Sequence, residues 1–568
     1  MRPPPRARHE LALVILLATA AVGGFLAFDD PDASAEQIAL ATAALKRHDG
    51  TLFTHDPVYG PSGLWRLHTP IFQGVLELVL LPSGYGEPLT AFRVLAGAVI
   101  AIYLCAMYAL LYHQCRSWSI SAFVAVLSAT VTYAPGGAFW GVGPLATIGA
   151  RGLCIAFSPL IVLGLLGATD GREGREQPWR LGVIFGCAGL LCNLHLPTGV
   201  NLTLVLLIAY LARRRARPRS WLTATGGLAA AAVGALPYAA YAIALGWRIP
   251  TAQATASYAT ARRALAAGGA EVLYPELLKQ VIESVPYVAV LLVPAGAVLV
   301  RVGRFRLRNG VFWLTMLLGA VAIGLGAHGL CQLHARAQNR PPVTLLVEAA
   351  ALGMLPLYVL LAQGLTNLFR LVRTHRALLR WACVAALAAW MMPSDNLQVA
   401  RHLAYRTATG FMAPASRPPR VRELAERRAA RREMDALARW LRDHTDRTAI
   451  VLTDRSDLRL AARRPITASA DDLPYYYRLA PGRMDAWRSR LARQRRMLAR
   501  PVLRSDLRSL AAAIAARRDL PRETEILAVI PAPMASSGLA DWHVEPDGWG
   551  QFFRLYRVPP AAAPHAAR

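Results

Sequence analysis

Acidic residues and lysine are scarce in this chain, and no cysteine follows Cys383. Asp and Glu number 35 against 63 Lys and Arg, a net charge of +28. Lysine occurs only at Lys46 and Lys279, so nearly all of the positive charge is arginine. This balance excludes a disordered acidic chain. Charged residues make up 17% of the chain, against about 25% in a soluble domain, which excludes an ordinary cytosolic enzyme. The cysteines are Cys105, Cys115, Cys154, Cys187, Cys192, Cys331 and Cys383, all in the apolar part. Cys187 and Cys192 are too widely spaced for a C-x-x-C pair, and no Cys/His series has zinc-finger spacing. They read as small buried apolar side chains, and the C-terminal region can form no internal disulfide. Also missing are a G-x-x-x-x-G-K-[ST] loop, H-E-x-x-H, an EF-hand loop, G-x-S-x-G and any repeat of fixed period, so those chemistries have no motif to rest on.

What the chain has is apolar bulk. Hydrophobic residues reach 55% and the mean hydropathy is +0.33. Nucleic-acid binding would account for the basic charge but not for the long apolar runs. A spanning helix needs about 20 mainly apolar residues. Candidate runs lie near 10–28, 89–112, 119–134, 151–168, 180–195, 198–212, 221–245, 285–302, 311–328, 343–366 and 377–393. The two halves around Asn193-Leu194-His195-Leu196-Pro197 are each shorter than a full span. The expected fold class is a polytopic α-helical membrane protein of about eleven spans with a C-terminal soluble α/β domain.

Every second connection is short and rich in arginine. Arg2, Arg6 and Arg8 precede the first run, and His113 to Arg116 follow the second. Arg172, Arg175 and Arg180 follow the fourth, and Arg213 to Arg219 the sixth. Arg301 to Arg308 follow the eighth, and Arg370 to Arg380 the tenth. The positive-inside rule makes these loops cytoplasmic. It places the N-terminus in the cytoplasm and residues 394–558 outside a bacterial inner membrane. The apolar stretch from Leu11 to Phe28 is long for a signal-peptide core and is followed by aspartates, so it reads as an uncleaved anchor.

Within 394–558, arginine-rich helical stretches (Val421 to Arg442, Met484 to Leu498) alternate with β-forming runs at 448–453, 525–530 and 551–556, the pattern of a small α/β domain. Residues 559–568 are Ala/Pro-rich and read as a disordered tail.

Chemistry is most legible in the first outer loop, 28–88. It opens with Asp29-Asp30-Pro31-Asp32 at the end of the first run. Carboxylates beside hydrocarbon need an answering charge or hydrogen bond. They either cap the next helix and face water, or one of them accepts a proton from an acceptor hydroxyl or holds a metal ion. Ser34 then starts a helix to Lys46 with an apolar stripe (Ile38, Leu40, Ala41, Ala44, Leu45), suited to the membrane interface. The loop continues through His55-Asp56-Pro57 to His68-Thr69-Pro70.

This layout resembles the GT-C superfamily of membrane glycosyltransferases. The resemblance rests on acids directly after the first span (Asp29-Asp30-Pro31-Asp32), an amphipathic helix, a long outer loop through His68-Thr69-Pro70, further spans, and a soluble region on the same side. It implies a polyprenyl-phosphate-linked sugar donor used on the outer face and a lipid, glycan or protein acceptor. It also implies an acid in the first outer loop, here Asp29 or Asp30, as catalytic base or metal ligand. The sequence departs from the family in the next outer loop, which has no carboxylate between Ala134 and Arg151. A divalent metal, a metal-free mechanism and a non-catalytic assembly subunit all stay open.

A lipid-phosphate donor needs cations at the membrane–water boundary, and the planar arginine fork suits phosphate. Arg340 leads these candidates, followed by Arg336 and Arg151, with His195, His68 and His334 as further binding groups. A boundary arginine also snorkels to headgroups, and His195 also suits a hydrogen-bonded place between helices. A transporter with a midplane site at the broken spans is the remaining alternative.

Overall fold

The computed structural model describes residues 5–29, 33–68, 70–132, 140–144, 147–169, 177–215, 217–245, 274–303, 305, 307–337, 345–372, 376–410, 412–413, 416–515, 524–544 and 550–559. Among them, eight helices are long and apolar enough to cross a membrane. These are Ala7–Leu26, Thr90–Cys115, Ala150–Thr169, Leu196–Arg213, Pro218–Ala244, Leu278–Val302, Gly310–His334 and Leu346–Leu371. Three of the eleven expected spans are shorter helices: Trp118–Thr130, Pro178–Leu190 and Ala377–Met391. Composition set the expected lengths, whereas caps and turns set the observed ones. After Leu190 the chain tightens into a 3-10 turn at Leu191–Asn193 and restarts at Leu196, with proline in the first turn.

Helices α1 to α9 are Pro5–Asp29, Ala35–His48, Pro70–Leu80, Thr90–Cys115, Trp118–Thr130, Ala150–Thr169, Pro178–Leu190, Leu196–Arg213 and Pro218–Ala244. Small residues let the apolar ones approach closely, which is how helices pack when hydrocarbon gives no hydrophobic drive between them. A Cβ on Gly24 of α1 would stand 3.1 Å from Gly97 Cα of α4. Between α7 and α9 the backbones touch: a Cβ on Gly234 would lie 2.4 Å from Gly186 O. At that contact Pro237 interrupts α9. Asn193 inserts its amide into the break, donating to Gly234 O at 2.8 Å and accepting from Tyr238 N at 2.8 Å. Those two groups would bond each other in an unbroken helix. Asn193 therefore has a structural task.

The helix ends sort to two ends of the bundle. At one end, His9 Nδ1 meets Tyr108 OH (2.6 Å), Arg308 Nη1 donates to His113 O (2.7 Å), and Arg308 N donates to Gln363 Oε1 (2.8 Å). The other end carries the first long loop and the C-terminal region, and we call it the capped end. There Asp395 N donates to Thr132 O (2.8 Å), joining the chain after Ala377–Met391 to the end of α5.

The C-terminal region contains a three-stranded sheet ordered β1-β2-β3: Ile450–Leu452, Ile526–Pro531 and Phe553–Val558. β1 pairs parallel with β2 (Val451 opposite Leu527), and β2 pairs antiparallel with β3 (Leu527 opposite Arg557). Strand residues alternate between two clusters. Ile526, Ala528 and Ile530 face Val502, Leu507 and Trp542, whereas Leu527 and Val529 face Met434, Leu437 and Leu458. Helices cover both faces, so β2 can be apolar throughout. The helix expected over Val421 to Arg442 spans Pro419–His444, and the second spans Met484–Leu498 as expected. From residue 560 the expected tail lies outside the described residues.

Part of this region belongs to the main core. Tyr475, Tyr476, Met484, Trp487 and Leu491 share one apolar cluster with the first long loop and the bundle. Helix α2 lies in between. Gln37, Ile38 and every residue from Leu40 to Leu45 are buried by protein. The single apolar stripe expected for an interfacial helix has become a helix covered on several sides, and its alanines allow that close packing.

Candidate functional site

The site is built from the start of α2. Ser34 caps the helix reciprocally: Gln37 N donates to Ser34 Oγ (3.2 Å) and Ser34 N donates to Gln37 Oε1 (3.0 Å). The same Gln37 donates through Nε2 to Ile148 O (3.0 Å), tying the cap to the segment before α6. This tie sets Glu36 against Gly149, where an added Cβ would stand 3.6 Å from a Glu36 carboxylate oxygen. Two residues on, in the first turn of α6, Arg151 Nε donates to Glu348 Oε2 at 2.5 Å. A Cβ on Gly143 would lie 3.5 Å from Arg151 Nη1. His195, the N-cap residue of α8, bonds Thr198 Oγ1 through Nδ1 (2.9 Å), and its ring acts electrostatically on Glu348.

Glu36 is accessible to solvent, yet dense protein surrounds it. The surrounding protein raises the Glu36 pKa above the ordinary carboxylate value, and the Glu348 charge raises it further while Arg151 opposes both. Glu36 has no hydrogen-bond partner among the described residues. Side chains from four separate segments thus bring two carboxylates, a guanidinium and an imidazole together at the capped end.

A second polar set joins the first long loop to the C-terminal region. Arg459 is 2% exposed. Its Nε donates to Asp56 Oδ2 (2.9 Å), and Nη1 and Nη2 donate to Asp472 (2.8 and 2.9 Å). Asp56 also accepts from the backbone N–H groups of Val58, Tyr59 and Ile466, and Asp472 accepts from Ser469 N. Burial raises Asp56, and Asp472 adds to that against Arg459. Burial alone would lower Arg459, but Asp472 and Asp56 hold it well above its usual value.

Beside this set, Tyr59 OH donates to Ala39 O (3.1 Å) and meets Tyr475 OH (2.8 Å), which meets His68 Nε2 (2.7 Å). The Tyr59 proton is given to Ala39, so Tyr475 donates to Tyr59 and His68 donates from Nε2. Burial raises both phenols, which keeps them protonated.

Of the residues singled out from sequence, Arg151 and His195 come together around Glu348. His68 belongs to the tyrosine chain instead. His334 is exposed near the end of Gly310–His334. Asp29 is the last residue of α1, and Arg336 lies in the helix His328–Ala337; their side chains lie outside what is described. Asp30 and Arg340 lie outside the described residues. Sequence reasoning missed Glu36, Glu348, Asp56 and Arg459. Glu348 had a usable signal, since a lone carboxylate in an apolar run marks a functional position by default. Among the described residues, no three His, Cys, Asp or Glu side chains form a group that could hold a metal ion. No family model matches the chain, and no curated protein matches it.

Proposed function

We propose that the chain is an integral-membrane glycosyltransferase of the GT-C kind. It moves a sugar from a polyprenyl-phosphate-linked donor to a lipid, glycan or protein acceptor outside the bacterial inner membrane. The N-terminus is cytoplasmic, the capped end faces out, and residues 394–558 act as an α/β domain over the site. The observation that supports this reading is the cluster of Glu36, Arg151, Glu348 and His195 at the capped end. Arg151 stands there in the first turn of an apolar helix, paired with Glu348.

Asp29 or Asp30 takes the proton of the acceptor hydroxyl. The resulting oxygen attacks the anomeric carbon, the bond from that carbon to the phosphate oxygen breaks, and the lipid phosphate leaves with the electron pair. Arg151 and His195 receive the phosphate charge, with Arg336, Arg340 and His334 supplied by the segment before Leu346. The test is sugar transfer in vesicles by Asp29→Asn, Asp30→Asn and the double variant. A loss of about a hundredfold or more is expected where the base is removed, and full activity in the double variant removes the base assignment.

The Arg151–Glu348 pair favours a second reading, a non-catalytic assembly subunit, because the guanidinium already has a carboxylate partner. Donor binding without transfer by the intact protein selects that reading.

A further inference from the structure

We infer that the outward face of helix α3, made by Ile71 and Leu78 and continued by Leu81, rests in the lipid of the leaflet at the capped end. The inference rests on the reading that the long apolar helices span a bilayer. It adds which surface seats the first long loop on that bilayer.

Helix α3 is apolar on two opposite sides. On the inner side Phe72, Gln73, Leu76 and Leu80 are buried, and the helix packs on α2, α4 and the turn Leu191–Asn193. Its two polar side chains are both taken up by protein. Gln73 is buried, and Glu77 pairs with Arg47 of α2 at 3.3 Å. On the outer side Ile71 and Leu78 stand one heptad apart, and Leu81 follows in the 3-10 turn that continues the helix. These three are 41%, 68% and 61% exposed. Gly74 lies between them, and a Cβ added there would meet nothing within 4 Å. A helix that is apolar all round needs cover on both sides. With 11 residues, α3 is too short to cross a bilayer, which takes about 20, so it lies along a surface.

The neighbours of α3 give the level of that surface. Tyr241, in the last turn of α9, donates to Arg66 O (2.7 Å), and α3 begins at Pro70. Helix α7 ends at Leu190, directly before the turn that α3 touches, and α4 begins at Thr90. Three apolar helices thus begin or end beside α3. Near those ends Leu190, Leu236 and Ile243 are exposed as well, so apolar exterior reaches the level of α3. Tyr241 and Trp65, whose ring has the Arg66 guanidinium 5.5 Å from its centroid, are the kind of side chain that gathers where hydrocarbon meets water. Helix α2 presents no exposed large apolar side chain. The interfacial place that its stripe suggested therefore falls to α3.

The experiment uses the full-length protein in vesicles of phosphatidylethanolamine and phosphatidylglycerol. The photoreactive residue p-benzoylphenylalanine replaces Ile71, Leu78, Leu236 as the spanning control, or Ser489 as the water control. After irradiation, the mass of the intact chain reads what was captured. The expected result is a gain of one phospholipid at positions 71 and 78, as at 236, and none at 489. Capture of protein at 78, from the same chain or from a second copy, overturns the lipid contact. So does an absence of capture at 78 when lipid is captured at 236. An absence of lipid at 236 as well overturns the spanning reading together with the inference. A second measurement needs no photoprobe. Leu78→Glu combined with Leu81→Glu should speed limited proteolysis within 28–88 several-fold in the same vesicles, whereas Leu78→Met with Leu81→Met should leave the rate unchanged. An unchanged rate in the glutamate pair would put this face in water.

Discussion

Asp56, Arg459 and Asp472 place two carboxylates around one guanidinium, and so do Glu36, Arg151 and Glu348. In the first set the side chains of Arg459, Asp56 and Asp472 are 3%, 0% and 1% exposed. Backbone N–H groups from four residues absorb the surplus negative charge there. In the second set Arg151 and Glu348 are 17% and 21% exposed, Glu36 is more open still, and no backbone donor answers it among the described residues. Among the described residues, the same three kinds of side chain thus make a sealed fastening in one place and a partly open cluster in the other. What separates them is how completely the lone pairs are satisfied, since a fully bonded buried charge is fixed and a partly bonded accessible one can change state.

The comparison breaks hardest at Arg459. Arg459→Met should strand two buried carboxylates and cost about 3–5 kcal/mol. Thermal unfolding and limited proteolysis would read this as early release of the C-terminal region. A midpoint unchanged from wild type would mean that the sealed set fastens nothing. Arg151→Ala should cost less stability than Arg459→Met, because the Arg151–Glu348 pair keeps some access to water, while abolishing transfer and phosphodiester binding. A collapse in stability as large as that of Arg459→Met would erase the distinction.

Glu36→Gln sharpens the contrast through pH. The folded pKa of Glu36 is raised, so the folded state keeps a proton that the unfolded chain has released. The stability linked to that proton is complete below the ordinary glutamate value and is lost as pH rises through the folded one. The thermal midpoint of Glu36→Gln relative to wild type should therefore rise from acid to alkaline pH. A pH-independent offset would place Glu36 among ordinary surface acids. Smallest is Tyr475→Phe, which removes the hydroxyl between Tyr59 and His68 and should cost about 1 kcal/mol. Nitrogen NMR of labelled His68 would register the released Nε2–H tautomer.

Much of the architecture was legible because it rests on periodicity and composition. Apolar runs located the helices long enough to span a membrane, a run of β-formers located β2, and alternation located β3, each strand within a residue or two. Lengths were less legible. Pro178–Leu190 stops short because the turn at Leu191–Asn193 intervenes, and Asn193 matters only through its contact with the break at Pro237 in α9. The candidate site was legible in part. Arg151 and His195 stood out as polar groups at apolar boundaries. Glu36 looked like an ordinary first-turn acid, and Asp56 like a loop residue before proline.

By itself the sequence determined that this chain carries several helices long and apolar enough to cross a membrane, since the length and composition of an apolar run are local properties. It also determined where the strands of the C-terminal region fall, because β-former content and side-chain alternation are local properties. Only the tertiary structure decided that Glu36, Arg151 and Glu348, from three distant segments, come together, and that Arg459 closes on Asp56 across about four hundred residues. Pairings of that kind depend on which helices lie side by side, and helix adjacency is set by small residues, breaks and caps acting together rather than by any one stretch of chain.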